Sequence, residues 1–185
     1  MNSIPILRAG RILREGGVVA YPTEGVFGLG CLPDNAAAVA RILAIKQRDP
    51  TKGLILIASK VAQLRDWIDL ADADSVLTSA AGHPLTWIVP PAKYLPSWIC
   101  GEHAGVAVRI TSHPVAAALC DAADSALIST SANLSGHAPA RNRHVLRRLF
   151  HDLVDCIVPG QCGPMTTPTE IRELTSGTVV RQGTV

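Results

Sequence analysis

The chain has 185 residues, of which 48% are apolar, 4% aromatic and 17% charged. Lysine and arginine together number 17 against 15 acidic residues, so the formal net charge is only +2. The length predicts a single domain over residues 1–185, and the composition argues against a disordered chain, a coiled coil and a membrane-spanning protein. So small a net charge also argues against a histone-like protein that binds nucleic acid through bulk charge.

Helices and strands alternate in the predicted structure of the first half. Ser3 is the predicted N-cap of a first helix, which Gly16 and Gly17 end. Apolar runs and helical spacing predict the elements that follow. These are strands at 18–21 and within 25–30, a helix that starts at 33–34 and ends near Lys46, and a buried strand at 54–58.

The second half continues in the same way. Strands are predicted at 85–89, 106–110, 126–129, 156–158 and 178–181, and helices at 115–120 and 145–150. Because strands and helices are interleaved with no linker between them, the sequence predicts one α/β or α+β domain in which helices cover a sheet. The order of the strands is left open.

Cations and acids are segregated along the chain. No acidic residue occurs in 125–151, and one group of cations lies next to a single acid, Asp49. The acid-free stretch holds Arg141, Arg143, Arg147 and Arg148; the second group is Arg41, Lys46, Arg48 and Lys52; acids collect at Asp66, Asp69, Asp72 and Asp74. This pattern favours a site for a polyanion. In the alternative interpretation, Lys46 and Arg48 complement a helix dipole and the arginine-rich helix is a solvated face.

A predicted buried strand leads directly into hydroxyl and amide side chains at 129–136, which read STSANLSG. Such groups at a strand end supply neutral donors to phosphate oxygens or to a small polar ligand. They equally suit a serine or threonine turn that satisfies its own backbone.

Several standard sites are absent from the sequence. It contains no phosphate-binding GxxxxGK[ST] loop, no dinucleotide fingerprint, no nucleophile elbow and no HExxH helix, and we assign no metal ligand among its histidines and cysteines. Five cysteines without a CxxC pair favour a reducing compartment. Arg8 and Arg11 interrupt the apolar N-terminal stretch, so a secretory leader is not expected and a cytoplasmic location is predicted.

Several motifs occur together in a recognisable order. They are YPTEGVFGLG at 21–30, KQR at 46–48, VAVRI at 106–110, STSANLSG at 129–136 and VRQG at 180–183. In this combination the chain resembles, over nearly its whole length, the YrdC-like family of threonylcarbamoyl-AMP synthases in its short bacterial form. The resemblance implies a twisted mixed β-sheet, flanked by helices, around a concave basic groove.

The resemblance also implies a reaction. Such enzymes bind ATP and L-threonine, take up bicarbonate or CO2, and release L-threonylcarbamoyl adenylate and pyrophosphate. A downstream transferase complex then modifies the tRNA adenosine next to the anticodon. A Mg²⁺ ion is expected, held mainly by the ATP phosphates and water.

Site residues follow from the family positions. The resemblance implies that Lys46 and Arg48 are catalytic, with ATP bound by Lys46, Arg48, Lys52, Ser131, Asn133, Arg141 and Arg181. For threonine it implies Thr23, Gly25, Arg109, Thr130 and Thr169, with Arg109 on the carboxylate. Many relatives carry threonine where this chain has Gly25, so one polar contact expected of the family is missing.

A second function stays open on the same residues. The acid-free stretch also suits a non-catalytic module that binds tRNA or double-stranded RNA through phosphate contacts. Weak tRNA binding is compatible with catalysis, and no membrane partner is expected.

Overall fold

The structure, a computed structural model, describes residues 3–70, 73–79, 85–165 and 169–182. Asp72 of the acidic cluster and Gly183 of the last motif lie outside these residues. Nine strands of the described residues form one sheet. They are β1 (Val19–Pro22), β2 (Phe27–Cys31), β3 (Ile55–Ala58), β4 (Leu85–Val89), β5 (Val106–Ile110), β6 (Leu127–Ser131), β7 (Cys156–Ile157), β8 (Glu170–Glu173) and β9 (Val179–Arg181).

The sheet is mixed and interleaves both halves of the sequence. Its strand order is β7-β1-β2-β6-β3-β5-β4-β8-β9. The pairs β1–β7, β3–β5 and β4–β8 are parallel, and the other neighbours are antiparallel. As a consequence β6, from late in the chain, lies between β2 and β3, and its polar end Ser129–Ser131 runs beside Gly28 of β2.

Six helices of the described residues accompany this sheet: α1 (Ile4–Arg14), α2 (Ala36–Lys46), α3 (Asp74–Ser79), α4 (Ser97–Cys100), α5 (Pro114–Ala123) and α6 (Arg143–Phe150). The buried side chains form two clusters. One joins α1 and α5 to Val19, Tyr21 and Ile57. The other joins α2 and α6 to the opposite side chains of the same strands, such as Ala20 and Leu56. The sheet therefore lies between two helical layers, as its period-two alternation requires.

The α1–α5 contact depends on a glycine. A Cβ atom at Gly10 would lie 2.7 Å from the Cβ of Ala122, closer than real side chains approach. The missing side chain lets the backbones of α1 and α5 pack directly against each other.

Most predicted elements are present, with shifted boundaries. Helix α2 begins at Ala36 instead of at 33–34, because the side-chain oxygen of Asn35 accepts the Ala38 amide at 2.9 Å. Ser3 precedes α1 without a side-chain capping bond. Pro22 belongs to β1, where it pairs with Phe27. The sequence interpretation missed β8 and the short helices α3 and α4. No described helix is long and apolar enough to cross a membrane.

Candidate functional site

One cavity, of about 540 Å³, opens where the β1–β2 hairpin, the end of β6 and the C-terminal strands meet. Its walls combine arginine guanidinium groups with hydroxyl side chains. The residues that line it are Thr23, Glu24, Gly25, Val26, Gly28, Arg48, Leu54, Ile55, Arg109, Ser129, Thr130, Ser131, Ala138, Pro139, Arg141, Met165, Thr169 and Arg181.

The charge of these walls is strongly asymmetric. Four arginines from separate parts of the chain line the cavity, and Glu24 is the one carboxylate among the lining residues that the structure describes. Burial, together with the nearby charge of Arg109, lowers the pKa of Arg181. Cations held this close to each other favour an anionic ligand that several of them contact at once.

Arg48 reaches the cavity because the backbone reverses at the end of α2. Gln47 adopts a left-handed conformation with φ of 51°, and the Arg48 amide then donates to the Leu43 carbonyl at 3.0 Å. The Arg48 guanidinium donates to the Gly53 carbonyl at 3.0 Å, while its Nε is buried without a hydrogen-bond partner. Burial lowers the pKa of this arginine. The side chain is therefore anchored at one end and keeps unused donors.

Lys46, two residues before Arg48, lies behind the cavity wall. Its side chain is buried, and its Nζ donates to the carbonyl of Ser131, to the carbonyl of Asn133 at 3.0 Å and to the Asn133 side-chain oxygen at 3.2 Å. Burial, with a smaller effect of the Arg48 charge, lowers the pKa of Lys46 from 10.5 to about 8. In the structure this amine holds the turn that follows β6.

Asn133 is the other organiser of that turn. Its side-chain oxygen also accepts from the Ser131 hydroxyl at 2.5 Å, and its amide nitrogen donates to the carbonyls of Leu134 and His137 at 2.9 and 2.7 Å. The amide is therefore fully engaged within the loop. Its contacts aim Ser131, which lines the cavity.

A buried ion pair forms part of the wall. The Glu24 carboxylate lies 3.4 Å from the Arg109 guanidinium, with side-chain exposures of 8% and 11%. The other Glu24 oxygen accepts from the Thr111 hydroxyl at 2.6 Å and from the Ser112 amide at 3.2 Å. Although burial opposes ionisation, the Arg109 charge and the Thr111 hydrogen bond keep the pKa of Glu24 below its usual value.

Two C-terminal residues complete the same side of the cavity. The Thr169 hydroxyl lies 2.9 Å from the buried Thr86 hydroxyl and accepts from Arg109 at 3.3 Å. The carbonyl of Thr169 accepts from the Arg181 guanidinium at 2.7 Å. Strands β8 and β9 therefore place Thr169 and Arg181 next to Arg109.

Residues 163–165 run across the β1–β2 hairpin. Gly163 and Met165 donate backbone hydrogen bonds to the carbonyls of Thr23 and Glu24 at 2.9 and 3.1 Å. Arg141 donates to the Met165 carbonyl at 2.5 Å. A Cβ atom at Gly25 would lie 2.7 Å from that carbonyl oxygen, so the Met165 backbone occupies the space of a side chain at this position.

Nine of the twelve residues predicted for the site line the cavity. They are Thr23, Gly25, Arg48, Arg109, Thr130, Ser131, Arg141, Thr169 and Arg181. Lys46 and Asn133 lie directly behind Ser131, and Lys52 is exposed in the turn at Pro50–Lys52. Among the other predicted cations, Arg41 pairs with Asp155 at 2.6 Å, and Arg143, Arg147 and Arg148 are exposed on α6.

The sequence interpretation missed Glu24 and Met165. Glu24 stands inside the YPTE motif, but only the pairing with Arg109, 85 positions later, makes it a buried site residue. Met165 had no signal, because the backbone carbonyl, which any residue carries, makes the contact.

The donor set near the cavity does not form a protein metal site. No group of three or more histidine, cysteine, aspartate or glutamate residues clusters as metal ligands among the described residues. Glu24, the carboxylate at the cavity, is already paired with Arg109.

Comparisons with known proteins agree with this fold. A family model named Sua5_yciO_yrdC, with the description "Telomere recombination", matches residues 11–183. A threonylcarbamoyl-AMP synthase of Xanthomonas axonopodis pv. citri (strain 306) is 48% identical, covering 97% of this chain and 98% of that protein.

Two solved structures are similar over most of the chain. Sua5 of P. abyssi, complexed with L-threonine, has a TM-score of 0.87 and 29% identity over 96% of this chain, which spans 54% of that longer protein. YciO of E. coli has a TM-score of 0.81 and 28% identity, covering 96% of this chain and 88% of its own. These structures confirm the predicted mixed sheet flanked by helices.

Proposed function

We infer the activity from the family: the chain belongs to the Sua5/YciO/YrdC family, and it makes L-threonylcarbamoyl adenylate and pyrophosphate from L-threonine, bicarbonate or CO2, and ATP. It is therefore a nucleotidyltransferase that serves tRNA modification. The observation that carries this conclusion at the site is a cavity lined by four arginines and, among its described lining residues, by a single carboxylate. A triphosphate and an amino acid together require that excess of cations.

We propose a division of the cavity between the two substrates. Arg48, Arg141 and Arg181 contact the triphosphate, with Lys52 at the rim and with Ser131 as a neutral donor once its hydroxyl turns away from Asn133. Arg109 binds the threonine carboxylate, and Thr23, Gly25, Thr130 and Thr169 form the surrounding pocket. Support comes from their joint position around one cavity, apart from the exposed Lys52, and from the unused Nε donors of Arg48 and Arg109.

Two bond-forming steps follow from this arrangement. The threonine amine attacks CO2 and loses a proton to solvent to form a carbamate, and a carbamate oxygen then attacks the α-phosphorus of ATP while pyrophosphate leaves. Neither step needs a protein nucleophile, and burial raises the pKa of the Cys31 thiol to about 12, so this thiol is not activated. The protein aligns the reactants and neutralises the charge that grows on pyrophosphate.

In this proposal Lys46 and Asn133 act from behind the wall. The Lys46 amine and the Asn133 amide fix the turn that presents Ser131. Their contribution to ATP binding therefore passes through the shape of that turn.

We propose that a Mg²⁺ ion enters the cavity together with the nucleotide. Since no cluster of protein ligands is found among the described residues, the ATP phosphates and water would hold it. When bound, the ion supplies further charge neutralisation on the triphosphate.

The remaining parts of the proposal concern location and partners. We propose that residues 1–185 act as one domain in the cytoplasm, which agrees with five cysteines that are all free in the structure. The adenylate passes to a transferase complex that modifies tRNA. Weak tRNA binding is proposed for α6, because Arg143, Arg147 and Arg148 are exposed there. Affinity for tRNA that stays unchanged between low and physiological salt would contradict that role.

Kinetics of two arginine variants test the division of the site. Arg48→Ala is expected to raise KM for ATP, whereas Arg109→Ala raises KM for threonine, and both lower the yield of labelled adenylate from [14C]bicarbonate. Arg147→Ala, which removes an exposed guanidinium on α6, is the matched control and leaves both constants unchanged. If Arg48→Ala and Arg109→Ala give the same kinetic profile, the proposed division is wrong.

A further inference from the structure

The proposed division of the cavity between ATP and threonine does not explain why Glu24 is present. It places a buried negative charge beside Arg109, the cation assigned to the threonine carboxylate. Two explanations are open for an anion at this position. It either contacts the amino group of the substrate or holds the arginine in place.

The contacts of the carboxylate distinguish these explanations. One oxygen of Glu24 is tied to the Thr111 hydroxyl and to the Ser112 amide, both just beyond the end of β5. Its other oxygen is buried and faces Arg109, itself a β5 residue, at 3.4 Å. The carboxylate is thus fixed to the same strand that carries the arginine, and the Glu24 side chain is only 8% exposed.

Arg109 is held but is not saturated. Thr169 accepts from one terminal nitrogen at 3.3 Å, Glu24 lies 3.4 Å from the other, and Nε is buried without a hydrogen-bond partner. A guanidinium has five donor hydrogens, so two long contacts leave donors for a ligand. Strand alternation places Arg109 opposite the core residues Val106, Val108 and Ile110, with its side chain at the cavity.

We propose that Glu24 is a positioning residue for Arg109: anchored by Thr111, it fixes the direction of the guanidinium that receives the threonine carboxylate. The inference rests on the proposed function, since it assigns Arg109 to threonine. A long, flexible arginine without this counter-charge would lose the single orientation that carboxylate binding requires, and its buried charge would be unpaired.

Steady-state kinetics of matched variants test the proposal. Glu24→Gln keeps the size of the side chain and an oxygen for Thr111 but removes the charge. It is expected to raise KM for threonine on the order of tenfold, with KM for ATP unchanged, because the ion pair that orients Arg109 is lost. Thr111→Val is expected to raise KM for threonine by a smaller factor than Glu24→Gln does. Thr111→Ser, which keeps the hydroxyl, is expected to leave KM for threonine at the wild-type value. Glu170→Gln, which breaks an Arg–Glu pair outside the cavity, is the control.

A competition experiment separates positioning from contact with the amine. 3-Hydroxybutyrate shares the carboxylate and hydroxyl of threonine but lacks its amino group. If Glu24 positions Arg109, Glu24→Gln weakens inhibition by 3-hydroxybutyrate by the same factor as it weakens threonine binding. A loss confined to threonine would overturn the proposal, as would an unchanged KM for threonine or a variant that lowers only the melting temperature. Failure of the wild-type protein to release pyrophosphate would instead refute the proposed function.

Discussion

Replacing Lys46 with methionine tests how this lysine acts. The substitution keeps the apolar stem and removes Nζ, which donates to the Ser131 carbonyl and to both oxygens of Asn133. Those acceptors lie in the turn that presents Ser131 to the cavity. We therefore expect Lys46→Met to weaken both folding and product formation.

The magnitude follows from two opposing effects. Three hydrogen bonds from a charged donor are lost, at about 2 kcal/mol each, while the Ser131 carbonyl and the Asn133 side-chain oxygen each keep a second donor. Against this, the charge on a lysine whose pKa is lowered from 10.5 to about 8 costs about 3 kcal/mol at neutral pH, and methionine removes that cost. The net decrease in the free energy of unfolding is about 3 kcal/mol, or roughly 6–12 °C in Tm for a chain of this length.

Thermal unfolding monitored by circular dichroism, with pyrophosphate release on the same samples, provides the assay. Lys60→Met, at an exposed lysine, is the matched control and should change neither quantity. A Lys46→Met protein with wild-type Tm and no activity would refute the reasoning. That result would mean that Lys46 contacts the triphosphate directly and contributes nothing to the turn.

Three further predictions concern titration, packing and metal. In NMR spectra of ε-13C lysine, one of the four lysines, Lys46, should titrate near pH 8. Between about pH 8 and 10.5 the folded protein then binds fewer protons than the unfolded chain, so stability should rise with pH in the wild type but not in Lys46→Met. A Lys46 signal that titrates with the other three would contradict this. Gly25→Ala should raise KM for threonine severalfold, since its Cβ displaces the Met165 carbonyl, and unchanged kinetics would show that the segment yields freely. Chelation of divalent ions should stop adenylate formation, excess Mg²⁺ should restore it, and circular dichroism should show no unfolding, whereas chelator-induced unfolding would indicate a structural metal.

Local patterns predicted most elements of the fold. Apolar runs located β3 and β5, and helical spacing located α1 and α5 within a few residues. Strand β8 was missed because Glu170, Arg172 and Glu173 give it no apolar run; only the neighbours β4 and β9 make it a strand. The strand order could not be predicted, because it depends on contacts between distant parts of the chain: β6 pairs with strands about 70 to 100 positions earlier.

Site residues could be predicted from the sequence where the residue type itself indicates anion binding. Arginines and a hydroxyl-rich strand end indicated an anion site, and Arg48, Ser131 and Arg109 line the cavity. Burial could not be predicted in the same way. Lysine and glutamate are residue types usually found at the surface, and Lys46 and Glu24 are buried only because distant strands enclose them. Their roles as supports of Ser131 and Arg109 therefore emerge from the structure.

Pyrophosphate release with each substrate omitted in turn tests the central claim most directly. The purified protein should release pyrophosphate from ATP only when L-threonine and bicarbonate are both present, in amounts equal to the adenylate formed. Release without threonine, or no release from well-folded protein supplied with all three substrates and Mg²⁺, would contradict it.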